Sequence, residues 1–212
     1  MSTLKLEDSS RLFFTSDHHF GHKNICQYSN RPFESLEQMD EQLIGNWNSV
    51  VPVNGIVFHL GDMFLCNAPR AMSICARLNG TIHYINGNHE SATKNEHLRD
   101  LCFDSVQDYL RIKVRDTDLD NVPKSGGYQD IILFHYPIAS WEKKSYGSWN
   151  LTGHTHSAYN KYNENISRLD VGVDSVAGML YKNKEDYTPI SYEFIKNQFK
   201  NVLLCGVKCG GN

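Results

Sequence analysis

The sequence predicts a layered α/β or α+β domain. Short apolar runs alternate with helix-patterned segments through the first half, and apolar runs dominate the second. The chain has 212 residues, which supply one large core but hardly two. Residues 1–212 are therefore read as a single domain.

Arg11 to Ser16 (RLFFTS) reads as a buried strand. Ser35 to Trp47 is the strongest helix signal, with Leu36, Met39, Leu43 and Trp47 at three- and four-residue spacing. Ser35 followed by Gln38 forms a capping box at its start. Ile56 to Leu60 is a second strand. Pro69 to Leu78 is a second helix, opened by a proline in its first turn and closed near Gly80. Thr81 to Ile85 is a third strand and Lys94 to Leu101 a short helix. Tyr109 to Val114, Ile131 to Phe134, Trp149 to Leu151, Ser167 to Val171 and Ile190 to Ile195 read as further strands. Between the first two of these, Asp116 to Tyr128 is polar and holds Pro123, Gly126 and Gly127, as a loop or open hairpin would.

Composition narrows the function classes. No apolar run approaches the ~20 residues that cross a bilayer, and Met1 to Ser10 lacks the apolar stretch of a signal peptide. A cytoplasmic location is expected. Six cysteines (Cys26, Cys66, Cys75, Cys102, Cys205, Cys209) contain no CxxC pair, so reduced thiols are expected, with Cys75 and Cys102 as small core residues. The net charge is −3 and no block of Lys or Arg stands out, which argues against a strong basic surface for long nucleic acid.

The informative pattern is where polar residues fall. The first strand runs into Asp17-His18-His19, the second into Gly61-Asp62 and the third into Gly87-Asn88-His89. Later strands end at His135 and at Gly153-His154-Thr155-His156. In layered α/β folds the carboxyl ends of strands gather along one edge, where sites form. A lone Asp after a strand is usually a turn or cap, and histidines inside strands, such as His59 and His83, are usually core or surface residues. Five endings with the same chemistry in one chain point instead to a cluster. Carboxylates, an amide oxygen and imidazoles make a mixed N/O ligand set, suited to Mn²⁺, Fe, Zn²⁺ or Ni²⁺. The set is too large for one tetrahedral ion and fits two divalent ions that share a carboxylate.

These residues resemble the calcineurin-like metallophosphoesterases, whose ordered motifs are D-x-H, GD, GNH, a lone His after a strand, and GHxH. All five stand in order between residues 17 and 156. The wider text Ser16 to Ile25, Asn30-Arg31-Pro32-Phe33 and His135 to Ile138 looks like a compact bacterial and phage branch. The resemblance implies a four-layer αββα sandwich of two mixed β-sheets flanked by helices. It also implies one metal held by Asp17, His19, Asp62 and His156, and another held by Asp62, Asn88, His135 and His154. The second motif departs from the GDxVDRG of protein phosphatases, since Leu65 stands where that motif has its second Asp. Protein dephosphorylation is thereby disfavoured.

The expected chemistry is phosphate-ester hydrolysis. Two divalent cations against two carboxylates leave a site of roughly +2, which receives a phosphate and lowers the pKa of a bridging water towards neutrality. His89 is expected as the general acid at the leaving oxygen. His22 and Arg31 are expected to bind substrate, Arg31 by clamping phosphate oxygens with its planar fork. Tyr28, Phe33, Trp141, Lys143, Lys144 and Tyr146 are further pocket candidates, and aromatic stacking on a nucleobase is one role for them. The favoured substrate is a phosphodiester of a nucleotide or short nucleic acid, with a small phosphomonoester as the alternative. Two other classes carry less weight. The DHH phosphoesterases share Asp17-His18-His19 but place it after earlier Asp motifs, and a non-catalytic scaffold of the same fold need not keep every ligand.

Overall fold

The computed structural model describes residues 3–89, 93–117, 126–156, 167–175 and 187–207, and within them two five-stranded mixed sheets. The first sheet runs in the order β1 (Thr3–Leu6), β6 (Tyr109–Arg115), β7 (Tyr128–Phe134), β8 (Trp149–Thr152), β9 (Arg168–Asp170). The second runs β10 (Ile190–Ser191), β2 (Leu12–Thr15), β3 (Ile56–His59), β4 (Thr81–Ile85), β5 (Ser105–Gln107). β2 to β5 are parallel neighbours, as are β7 to β9 and the pair β1–β6, while β6 pairs antiparallel with β7 and β10 with β2.

The sheets pack face to face through the alternation of side chains along each strand. Leu12, Phe14, Phe58 and Ile85 from one sheet meet Leu110, Ile112, Ile131, Leu133, Leu151 and Leu169 from the other. The opposite face of the second sheet, carrying Phe13, Val57, Ile82 and Tyr84, is covered by α2 (Leu36–Val50), α3 (Ala68–Cys75) and α4 (Glu96–Cys102), and the short α1 (Ile25–Tyr28) adds Ile25 to the same cluster. The sandwich of two mixed sheets with flanking helices is the expected fold. On the outer face of the first sheet, Arg111 and Asp130 pair with Glu142 and Lys143 of the 138–148 segment.

Local signals act as the sequence suggests. The Ser35 hydroxyl accepts from Gln38 N at 3.1 Å and caps α2, while the Gln38 side chain reaches back to Glu34 N. α3 is capped by Asn67 with Pro69 in its first turn, and α4 by Asn95. Cys75 and Cys102 are buried free thiols, and His59 is fully buried in the core.

Other expectations change. Ile190 to Ile195 is not a strand: only Ile190–Ser191 pairs with β2, and α5 (Tyr192–Val207) begins at once. Ser191 Oγ accepts from Phe194 N, and Tyr192, Ile195 and Phe199 fall at helical spacing, packing into the inter-sheet core. The polar N-terminus supplies β1, parallel to β6. The Asp116 to Tyr128 stretch joins antiparallel β6 and β7, with Asp116 N donating to Gly127 O; its residues 118–125 lie outside the described residues, as does Cys209. No described helix is long and apolar enough to cross a membrane.

One contact fixes where a site can form. Ser16, just past β2, makes a parallel bridge to Gly172, just past β9, and Val173 N donates to Ser16 O at 3.0 Å. The carboxyl ends of the parallel strands in both sheets therefore meet at one edge.

Candidate metal centre

All seven expected ligands converge on that edge. Asp17 and His19 follow β2, Asp62 follows β3, and Asn88 follows β4; His135 follows β7, and His154 and His156 follow β8. The donor atoms of Asp17, His19 and His156 lie within 4.8 Å of one another, as do those of Asp17, Asp62 and His135. Asp62 Oδ2 stands 3.7 Å from His19 Nε2 and 3.7 Å from His135 Nε2, between the two halves of the cluster. Asn88 Oδ1 lies 3.0 Å from His135 Nε2 and 2.8 Å from His154 Nδ1.

The backbone is bent to achieve this. Asp17, His19, Asp62, His154 and His156 all hold positive φ, between 45° and 74°. Side-chain-bearing residues avoid this region, and its concentration in one place marks a site that the surrounding fold holds in strain. Two glycines make room. Gly61 has φ +100°, and a Cβ there would meet His135 Nδ1 at 2.6 Å; a Cβ on Gly153 would collide with the Ser16 hydroxyl and with Asp17 Oδ2.

Hydrogen bonds fix which ring nitrogens face inward. His135 Nδ1 donates to Leu60 O at 2.6 Å, which turns its Nε2 towards Asn88 Oδ1 and Asp62. His156 Nδ1 donates to Asp174 Oδ2 at 2.6 Å, which turns its Nε2 towards His19 Nε2, 3.2 Å away. Asp17 Oδ2 and Asp62 Oδ1 accept from the backbone N of His154 and His89, each at 2.9 Å. Asp17 Oδ1 is buried without a hydrogen-bond partner.

Electrostatics agree with that geometry. Burial pushes the Asp17 carboxyl up to about 6, against the pull of His135 and His156. Burial and the neighbouring His156 hold His19 down to about 2, and burial lowers His154 as well. Against the opposing effect of burial, the Asp174 hydrogen bond and the Asp17 charge raise His156, so carboxylate, amide and imidazole donors crowd together around mutually opposed charges. A cation is what this donor set fits.

The remaining candidates divide. The His89 ring is exposed, 5.6 Å from the His19 ring, with its backbone fixed by Asp62. His22 lies on another side of His19, ring centroids 5.6 Å apart, with exposed Tyr28 beyond it at 6.0 Å. Arg31 does not reach into the site. It is 4% exposed and its five N–H groups are committed to Asp174 (2.8 and 2.9 Å), the carbonyls of Asp17 and His18 (2.7 Å each) and Met39 Sδ. Its expected clamp on phosphate is corrected, since no donor remains for one. Phe33 packs on Tyr187 in the core on the helix side. The loop of Trp141, Lys143 and Lys144 folds onto the outer face of the first sheet, where Trp141 Nε1 donates to Ser148 O and Lys143 pairs with Asp130.

Three residues at the site were not singled out from the sequence. Tyr136, directly after His135, sets its ring 4.9 Å from that of His135 and 4.8 Å from that of His154. Asp170 accepts from Thr155 Oγ1 and Gly172 N and braces the GHTH turn. Asp174 supports His156. Asp174 directly follows the run Val171 to Val173, so the strand-end rule applied once more finds it, whereas Asp170 sits within the apolar stretch as the last residue of β9.

No protein-family model matches the chain. It is 30% identical over 191 residues to the uncharacterized protein MJ1445 of Methanocaldococcus jannaschii, a match covering 87% of this chain and 89% of that protein. It is 27% identical over 205 residues to the Gene 66 protein of Mycobacterium phage L5, covering 86% of this chain and 95% of that one. Among solved structures, the protein of unknown function AQ665 from Aquifex aeolicus shares the fold with a TM-score of 0.63 at 20% identity, over 88% of this chain and 98% of that one.

Proposed function

We propose that this chain, which belongs to the protein family of MJ1445 from Methanocaldococcus jannaschii, is a cytoplasmic phosphoesterase that works with two divalent metal ions. The fold does not argue for an activity by itself; the support comes from the site. The observation that carries the reading is the crowding of metal-ligating atoms: His135 Nε2 stands 3.0 Å from Asn88 Oδ1, His156 Nε2 stands 3.2 Å from His19 Nε2, and the buried Asp17 Oδ1, without a hydrogen-bond partner, belongs to both groups. Asp17, His19, Asp62 and His156 would hold one ion, and Asp62, Asn88, His135 and His154 the other, with Asp62 placed to serve both. Mn²⁺ is the first choice, with Fe, Zn²⁺ or Ni²⁺ compatible with the same donors. Bound there, the ions supply the positive charge that binds a phosphate and acidifies water.

The chain's own residues complete the reaction. His89 is exposed beside the ligand cluster and not among the converging donors, so it is free to hold a proton at the leaving oxygen. Its backbone N–H to Asp62 keeps that ring in register with the site. Tyr136 on one side, with His22 and Tyr28 on the other, forms an aromatic rim around a site whose outermost residues, Asn88, His89 and His154, are exposed. An open site with flat rings at its edge favours a phosphodiester of a nucleotide or short nucleic acid over a small monoester, and stacking supplies the contact.

Hydrolysis of bis-p-nitrophenyl phosphate against p-nitrophenyl phosphate, with Mn²⁺ added to metal-stripped protein, tests this. Faster turnover of the diester is expected. Faster turnover of the monoester would move the assignment to a phosphomonoesterase. Inactivity on both, with no bound metal, would leave a binding scaffold and remove the enzyme reading.

A further inference from the structure

Outside the ligands themselves, the most heavily engaged polar group at the site is the Arg31–Asp174 pair. The residues are separated by 143 positions in sequence, and their side chains are 0% and 5% exposed. The guanidinium meets the carboxylate in a fork, at 2.8 and 2.9 Å. Its remaining donors hold the carbonyls of Asp17 and His18, on the left-handed turn that aims Asp17 and His19 inward. The carboxylate in turn accepts from His156 Nδ1, which fixes both the tautomer and the direction of His156 Nε2. One ion pair therefore ties the first ligand turn, after β2, to the last, after β8. Arg31 is also covered by the Tyr187 ring, 5.7 Å from the guanidinium carbon. With every N–H engaged, it has no donor left for a substrate.

In the other half His135 is oriented by the Leu60 carbonyl, while among the described residues no hydrogen bond to a carboxylate braces the His154 ring or the Asn88 amide. His154 and Asn88 are exposed, and the described hydrogen bond of the His154 ring is the 2.8 Å contact with Asn88 Oδ1. Ligands that are oriented before the ion arrives lose less freedom on binding it, and carboxylates behind metal-binding histidines raise affinity by fixing ring and tautomer.

We propose that Arg31 and Asp174 are positioning residues that preset the corner formed by Asp17, His19 and His156, so that this corner takes its metal ion first and holds it more tightly than the Asn88–His154 side. The inference rests on the two-metal reading above. It assigns Arg31 a role that no phosphate contact would give it, and it makes the two ion positions unequal.

The test is a Mn²⁺ titration of metal-stripped full-length protein, with free Mn²⁺ followed by its paramagnetic resonance signal. The unaltered protein should bind one tight and one weaker equivalent. Asp174→Asn should weaken the tight equivalent by about 10–100-fold and leave the weaker one within a few-fold. An amide at this position offers Arg31 one acceptor in place of two, and its NH₂ opposes either Arg31 or the His156 N–H. His154→Ala should do the reverse, losing the weaker equivalent and keeping the tight one. At saturating Mn²⁺, Asp174→Asn should regain kcat with KM unchanged, which a general structural defect would not do. Because a lone buried charge destabilises, the double variant Arg31→Met/Asp174→Asn is the second probe; it buries no unpaired charge and should lose the tight equivalent as well. Tight binding retained in both variants would overturn the positioning role while leaving the metal centre intact. No Mn²⁺ bound by the unaltered protein would instead sink the metal reading, and the positioning role with it.

Discussion

Asp17, His19, Asp62, His154 and His156 are five of the seven described non-glycine residues with positive φ, and each such residue costs on the order of 1 kcal/mol against an ordinary backbone. The cost is concentrated where donors must point inward from sharp turns, so changes there should separate by role. His89 lies outside the ligand cluster: His89→Ala should keep both metal equivalents and lose about 10²–10⁴-fold in kcat, read from metal content and steady-state kinetics on one sample. Gly153→Ala should behave oppositely. Its Cβ would press on Ser16 and Asp17 Oδ2, so metal occupancy should fall and activity follow it. The seven donors were legible in the sequence because each ends an apolar run, a pattern that survives without knowledge of the fold. Arg31 was misread for a related reason. Its closeness in sequence to Asp17 and His19 suggests a phosphate contact, but the direction of its side chain is set by Asp174, which only folding brings near.

At the scale of elements, the start of α2 was readable because the Ser35–Gln38 box announces it locally, and α3 was readable from the proline in its first turn; the Asn67 and Asn95 caps emerge only with the structure. The terminal helix α5 was not readable. Its first residues, Ile190 to Ile195, are rich in strand-forming side chains, and the switch from extended to helical backbone occurs between Ser191 and Tyr192. What fixes α5 is tertiary. Lys196 Nζ lies 3.0 Å from Asp116 Oδ1 and Tyr192 donates to Asp116 Oδ2 at 2.8 Å, all three residues being buried. Tyr192 and Phe199 also pack on Trp149, with ring centroids 5.6 and 4.8 Å apart. Lys196→Met should destabilise the protein by about 3 kcal/mol, because it removes the cation paired with the buried Asp116 carboxylate. Adding Asp116→Asn should recover much of that loss. Urea denaturation of the two variants measures both.

The molecule as a whole should be sensitive to acid when stripped of metal. His19 and His59 are buried with pKa values near 2 and 3, and burial also lowers His18. Their folded values lie below the ordinary 6.5, so the unfolded chain binds more protons in between. The stability they permit is present above pH 6.5 and lost as pH falls, by about 2 kcal/mol each for His19 and His59 at pH 5. Asp17 works in the other direction, since its raised pKa of about 6 makes its ionisation unfavourable as pH rises from about 4 to 6. Lowering the pH from 6.5 to 5 returns only about 1 kcal/mol through Asp17, so the histidines win. Unfolding in the presence of a chelator should show stability falling over that range; a flat profile would mean that the histidines are not buried neutral.

The bridge between Ser16 and Gly172 has a bearing on how the sandwich comes apart. Asp17, His19, Asp62 and Asn88 hang from one sheet, and His135, His154 and His156 from the other. A metal ion bound between them would rivet two leaves that are already joined at this end by backbone hydrogen bonds and by the Arg31–Asp174 pair. Separation of the leaves would then begin at the opposite margin, where α5 and the Asp116–Lys196 pair close the gap. The slowest amides to exchange with solvent in the loaded protein should be those flanking Ser16 and Gly172, and stripping the metal should speed them before it affects α5. The centre of the chemistry would then also be the seam that holds the two halves shut.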